Sequence, residues 1–303
     1  MSDYGHDLLF GTFVTPTAQP ARHAVDLAVL ADRAGLDLVT FQDHPYQPRF
    51  HDTWTLLSYV AARTERVHLS GNVLNLPLRQ PAVLARSAAS LDLLSGGRFE
   101  LGIGAGAFWE AIEAMGGRRL AAGQAITALD EAIRIMREVW AADKPGGVRV
   151  DGEYYRVNGA KRGPAPAHQV NVWIGAYKPR MLRLTGRVGD GWLPSLQYLP
   201  GGPGDLATMN EQIDESAVAA GREPAQIRRL LNVGGQFAPT GRSLLNGPPE
   251  QWAEDLAGLA LEHGVSAFIL GSDDPAAIEL FAAEVAPATR ELVAEERSRA
   301  VAG

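Results

Sequence analysis

Short apolar runs and longer amphipathic stretches alternate along almost the whole chain. The short runs fall at residues 8–13, 38–41, 67–74 and 98–103, then at 172–174, around 191–193, at 230–233 and at 267–270. Their β-branched and aromatic content, and their length, predict strands. Between them the period changes. Ala21, Ala24, Val25, Ala28 and Val29 fall on one helical face, and Gly35 stands where a C-terminal cap belongs. Ile126, Leu129, Ile133, Met136 and Trp140 step by three and four into one apolar stripe. A further helix opens with Pro81 in its first turn and stops at Gly96-Gly97.

Strand–helix alternation implies right-handed βαβ units, hence a parallel sheet covered by helices. Eight such units in about 280 residues fit a closed (β/α)8 TIM barrel better than an open doubly wound sheet. No proline- or serine-rich linker divides the chain, so residues 1–303 are expected to form one domain. The alternation breaks at 148–157, where Asp151-Gly152 lies between alternating residues and predicts a small β-hairpin with a two-residue turn. That hairpin and the Pro/Gly-rich segment up to Gln169 form an insertion between the fourth and fifth units.

Composition narrows the function. A formal charge of −7 lacks the basic footprint of a general nucleic-acid or acidic-membrane binder. The chain contains no cysteine, which removes thiol catalysis, iron–sulfur clusters and Cys-ligated zinc. No stretch approaches the ~20 apolar residues needed to span a bilayer. The opening MSDYGHDLLF lacks the basic and apolar regions of an export signal, so a cytoplasmic protein is expected.

In a barrel of this kind the active site lies at the C-terminal ends of the strands. The residues just past the predicted strands are Asp43-His44, Asn72-Val73-Leu74-Asn75, Gly104-Ala105-Gly106, Gly175-Ala176-Tyr177-Lys178, Pro194-Ser195, Gly234-Gly235-Gln236 and Gly271-Ser272-Asp273. Polar and glycine residues therefore gather at one end. His44 with an adjacent carboxylate suits general acid–base work, because imidazole titrates near neutrality. His51 and Asp52 follow, but their spacing matches no metal motif, and no metal site is assigned. Residues 102–107 satisfy G-x-G-x-x-A, yet after a fourth strand the glycines read better as room for backbone to approach a flat ligand. Phe108 and Trp109 stand ready to cover one. Gly175 to Pro179 end a strand and open a helix, an arrangement whose backbone N–H groups and Lys178 suit a phosphate. Lys178, Arg180, Arg183 and Arg187 cluster there, either as an anion site or as a solvated helix face, and the helix start favours the anion site.

The stretches GLDLVTFQDHPYQP, RVHLSGNVLNLPLRQPAVLARSAASLDLLSGGRFELGIGAG and WIGAYKPRMLRLTGRVGDGWLPSL resemble the bacterial luciferase-like flavin monooxygenase and F420-dependent oxidoreductase superfamily. A strand-end histidine, an Asn-Val bulge, an LDxLSGGR helix end, a GxGxG turn and a DGW strand occur in the family order. The resemblance implies that His44 stands beside the reactive ring position and that Asp43 contacts the cofactor. It implies that Asn72-Val73, commonly a non-proline cis peptide in the family, backs the ring. Asn75, Ala105 and Gly106 match ring and ribityl contacts, and Gly175, Ala176, Tyr177, Lys178 and Pro179 match the phosphate segment. Where the sugar-phosphate dehydrogenase branch carries a proton-donating glutamate this chain has Ala107; the nearest carboxylate is Glu110, and no lysine/arginine set marks the later loops.

The implied activity is hydride transfer with coenzyme F420, the Asp43-His44 pair favouring it over the Glu-His pair common among FMN users. FMN-dependent monooxygenation with reduced flavin and O2 is the alternative; a non-catalytic flavin-binding barrel and a His44/His51 metal hydrolase are others. Phe13, Tyr46, Trp109 and Glu110 are expected to border a small, partly hydrophobic substrate. Implied partners are a second copy in a homodimer and a separate flavin or F420 reductase; the alanine-rich 82–94 helix suits close packing either against the barrel or against a partner.

Overall fold

The computed structural model describes residues 3–302. Residues 1, 2 and 303, the ends of the expected domain, lie outside the described residues. Eight parallel strands close on themselves: β1 (Leu9–Val14), β2 (Leu38–Phe41), β3 (His68–Gly71), β4 (Phe99–Gly104), β5 (Val172–Ile174), β6 (Gly191–Trp192), β7 (Arg228–Val233) and β8 (Ala267–Gly271). Gly11 pairs with Leu38, Leu69 with Phe99 and Leu9 with Ala267, so each strand neighbours the next and β8 returns to β1. This is the predicted (β/α)8 barrel.

Its helices are α1 (His23–Ala34), α2 (Thr53–Ala61), α3 (Pro81–Ser95), α4 (Trp109–Ala114), α5 (Ala122–Trp140), α6 (Pro179–Val188), α7 (Gly204–Ala219), α8 (Pro249–His263), α9 (Pro275–Leu280) and α10 (Ala286–Ala302). The expected stops hold: Gly35 and Gly96 cap α1 and α3 in the left-handed conformation that glycine adopts without a Cβ clash. Two apolar layers result. Leu38, Trp173, Leu230, Ala267 and Ile269 fill the barrel interior. A larger cluster, including Phe10, Phe41, Phe99 and Trp252, seals the strands against the helices.

The structure departs from the pattern in three places. The run expected as one strand at 67–74 is interrupted: β3 ends at Gly71, the Asn72–Val73 peptide is cis, and Leu74–Asn75 pairs afresh with Ile103–Gly104. The hairpin of the insertion forms, between Val148–Asp151 and Arg156–Ala160, but not with the expected two-residue turn. Its connection is residues 152–155, because Glu131 on α5 accepts the N–H groups of Glu153, Tyr154 and Tyr155 at 2.7, 2.9 and 3.0 Å and holds the wider loop against the helix. Finally, α4 was not anticipated; its six residues carry too little periodicity to read.

Candidate active site

The C-terminal ends of the strands surround an open cleft of ≈ 600 Å³. Asp43, His44, Asn72, Val73, Asn75, Ala105, Gly106, Gly175, Ala176, Tyr177, Lys178, Phe13 and Tyr46 all line it, brought together from five strand ends. Pro179 does not. It is the first residue of α6, one step behind the N-cap Lys178. Trp109 and Glu110 do not line it either. Both start α4, where Trp109 packs against the cluster of Leu120, Ala125 and Ala128 and Glu110 faces solvent. Phe108 takes the place expected of Trp109, exposed at the rim and edge-on to His44 with ring centroids 5.3 Å apart.

His44 is held by aromatic packing, stacked on Tyr46 at 5.4 Å. Burial pushes its imidazole below the ordinary value of 6.5, and the Asp43 charge only partly opposes this. A neutral ring at neutral pH can accept a proton. Burial, and next the Asp43 charge, raises the Tyr46 phenol; burial raises that of Tyr177. Both stay protonated donors.

Asp43 lines the cleft wall with its carboxylate already engaged by protein donors. Its carboxylate accepts Arg79 Nε and Nη2, each at 2.8 Å, and the Asn75 backbone N–H at 2.8 Å. Burial opposes the Arg79 charge, but Asp43 and Asp52 more than offset it and hold the guanidinium firmly protonated. This strut fixes the backbone of Asn75. The Asn75 side chain is buried, and its Oδ1 has no hydrogen-bond partner. A buried acceptor without a donor is costly, so an N–H brought by a ligand would be stabilised here, next to the Tyr46 hydroxyl that the Asn75 side chain also bonds.

Behind the cleft the polar groups form one chain. Asn72 Nδ2 donates to Asn232 Oδ1 at 2.6 Å and to Thr40 Oγ1 at 3.1 Å; Asn232 Nδ2 donates back to Asn72 Oδ1 at 3.1 Å and to Ser195 Oγ at 3.0 Å. Asn232 on β7 thus braces the 72–73 segment across the barrel, and Val73 leans into the space over β4. A Cβ built on Gly104 would stand 2.7 Å from Val73 Cγ2, which is why the position needs glycine. At Gly106 φ is +95°, a left-handed turn that carries the chain past Pro77. The glycines, the flat wall at Val73 and the unpartnered Asn75 Oδ1 fit a planar ring with an edge N–H.

Lys178 lies at the start of α6, beside the cleft. The remaining basic residues divide: Arg187 pairs with Asp130 at 2.7 Å, and Arg180 and Arg183 are exposed on the helix face. His51 and Asp52 serve structure, His51 Nε2 with Ala21 O at 2.9 Å and Asp52 as the N-cap of α2. Two residues that hold this site together were not singled out from the sequence: Arg79 and Asn232. Asn232 had a usable signal, an asparagine inside the apolar run Leu230–Val233; Arg79 had none.

A family model for luciferase-like monooxygenases matches residues 4–242. The chain is 33% identical over 229 residues to an F420-dependent glucose-6-phosphate dehydrogenase of Mycolicibacterium fortuitum, covering 72% of this chain and 66% of that protein. A protein of the same description from Nocardia farcinica is 34% identical over 223 residues, covering 70% and 64%. The chain thus spans about two thirds of the length of the curated relatives it matches. Among solved structures, an F420-dependent secondary alcohol dehydrogenase in complex with an F420-acetone adduct superposes with a TM-score of 0.81 at 19% identity, over 94% of this chain and 99% of that one. A riboflavin lyase with modified FMN and riboflavin does so with a TM-score of 0.81 at 18%, over 94% and 92%. At these identities the superpositions speak for the fold.

Proposed function

The chain belongs to the luciferase-like monooxygenase family, and on that premise we propose that it is an oxidoreductase using coenzyme F420 to move hydride to or from a small, partly hydrophobic organic molecule. The observation that carries this reading is the orphaned Asn75 Oδ1 beside a His44 kept neutral by burial, in a cleft whose back wall is glycine and Val73. The F420-dependent description of the curated relatives supports the choice of cofactor.

In this reading Asn72 and Val73 back the ring, and Asn75 accepts its edge N–H. Ala105 and Gly106 contact the ribityl chain, and Gly175, Ala176, Tyr177 and Lys178 hold the phosphate, with Pro179 presetting the first turn of α6. When bound, F420 supplies a ring carbon that carries hydride and, lacking the flavin nitrogen at that place, little oxygen chemistry. His44 accepts or returns one proton at a ring nitrogen as the substrate is oxidised or reduced. Asp43 acts through Arg79 and the Asn75 backbone as a positioning residue. Phe13, Tyr46 and Phe108 exclude water from the reacting side.

The protein works as one luciferase-like barrel domain, as a cytoplasmic homodimer served by a separate F420 reductase. Val83 and Leu94 on α3, 64% and 87% exposed, support the dimer. Among the described residues no helix is long and apolar enough to cross a membrane. Titration of the apoprotein with F420 and with FMN, followed by fluorescence, tests the cofactor. F420 is expected to bind at least about tenfold more tightly; tighter FMN binding, or binding of neither, overturns the proposal.

A further inference from the structure

A second, smaller lobe of ≈ 240 Å³ adjoins the cleft and shares Phe13, Gln197 and Asn232 with it. Thr15, Ser272 and Asp273 complete its polar wall. Asp273 stands just past β8, and its Oδ1 accepts the Thr15 N–H at 2.8 Å, tying the β8 loop to the end of β1. Among the described residues no protein donor engages its Oδ2. The same loop is stiffened by Ser272 Oγ, which accepts the Asp274 N–H at 3.1 Å. The carboxylate therefore stands at the solvent-exposed rim of a pocket that shares a wall with the cofactor cleft, its direction set by the Thr15 N–H.

Charge is distributed unevenly around this mouth. Among the described residues lining the two lobes, the only cationic side chain is Lys178, past β5 and three strands round the barrel from Asp273. The small lobe offers a carboxylate and amide and hydroxyl groups. A ligand end that donates hydrogen bonds satisfies the carboxylate, whereas a phosphate brings only acceptors and like charge. We infer that this lobe receives the polar end of the substrate, and that this end is an unphosphorylated hydrogen-bond donor, a hydroxyl or an amine. The inference rests on the F420 reading, because it takes the larger cleft as filled by the cofactor. It also sets this chain apart from the curated relatives, which are named for glucose 6-phosphate.

The experiment uses the F420-loaded protein and two probe pairs, glucose with glucose 6-phosphate and ethanolamine with phosphoethanolamine, with affinity read by ligand-observed NMR. At least one unphosphorylated member is expected to bind about tenfold more tightly than its phosphorylated partner, the order expected for like charges meeting in a half-open site. The pair with the larger preference distinguishes hydroxyl from amine. Asp273→Asn is expected to shrink the preference at least threefold and Asp273→Lys to reverse it, with F420 loading as the folding control in each variant. Failure of F420 to load the parent protein overturns the cofactor reading and this inference with it. Loading followed by no probe binding, by preference for the phosphorylated members, or by a preference unchanged in both variants overturns this inference alone.

Discussion

Replacing Asp43 by asparagine separates a residue that touches the cofactor from one that holds the wall in place. The Asp43 side chain is wholly buried and Arg79 is 15% exposed, so the pair sits where removing one partner leaves a stranded charge. Breaking such a pair costs about 3–5 kcal/mol. Asp52, 3.5 Å from Arg79 Nη2 and half exposed, recovers part of that, so about 3 kcal/mol is expected for Asp43→Asn. Arg79→Met should cost a similar amount, because it leaves the Asp43 carboxylate with one backbone donor. The double variant should be less destabilised than the sum by about 2 kcal/mol. Urea unfolding of the four proteins measures these terms, and F420 titration at low urea gives the second readout. Because Asp43→Asn weakens the acceptor of the Asn75 N–H and Arg79→Met frees that acceptor to move, both should weaken F420 binding. The reasoning is refuted if Asp43→Asn stays within about 1 kcal/mol of the parent while Arg79→Met leaves the F420 affinity untouched; Asp43 would then act on the cofactor directly.

Three further outcomes follow from the same geometry. His168 is raised to about 9, first by its hydrogen bond to Glu100, with burial opposing and Asp92 adding. A folded value above the unfolded one stabilises fully below about pH 6.5 and is lost as pH rises through about 9; wild-type stability should fall by about 1–2 kcal/mol between pH 7 and 9.5 after solvent screening, and His168→Asn should flatten that decline. Gly104→Ala drives a Cβ to 2.7 Å from Val73 Cγ2; it should cost about 1–3 kcal/mol in unfolding free energy and weaken F420 binding at least about tenfold. Burial holds the His44 imidazole below its ordinary value of 6.5, so the acid limb of the pH–rate profile should lie below 6.5, and His44→Ala should remove that limb while lowering kcat by about 10²-fold or more.

The barrel was legible because its strands are buried on both faces and read as plain apolar runs; β2 and β5 end where the pattern ends. The cluster of candidate residues was legible for a related reason: one topological rule sends every strand-end loop to the same mouth. What sequence could not supply is direction within that mouth. Asp43 and His44 are neighbours, yet the strand end points His44 into the cleft and Asp43 toward Arg79, which is 36 residues away. Phe108 and Trp109 are likewise adjacent, and only the start of α4 decides that Phe108 faces the site. The 72–73 interruption was readable as a bulge by resemblance, but its brace, Asn232, lies 160 residues downstream. The hairpin turn failed as a local prediction because Glu131, on another element, sets the loop length.

The most direct test of the account is a crystal structure of this chain with F420 bound. The account predicts the deazaflavin ring against Val73, the Asn75 Oδ1 accepting a ring N–H, the phosphate beside Lys178 and His44 facing the reactive carbon. Density for the ring outside this cleft, or a ring in the cleft with Asn75 Oδ1 still without a donor and His44 turned away, would contradict it.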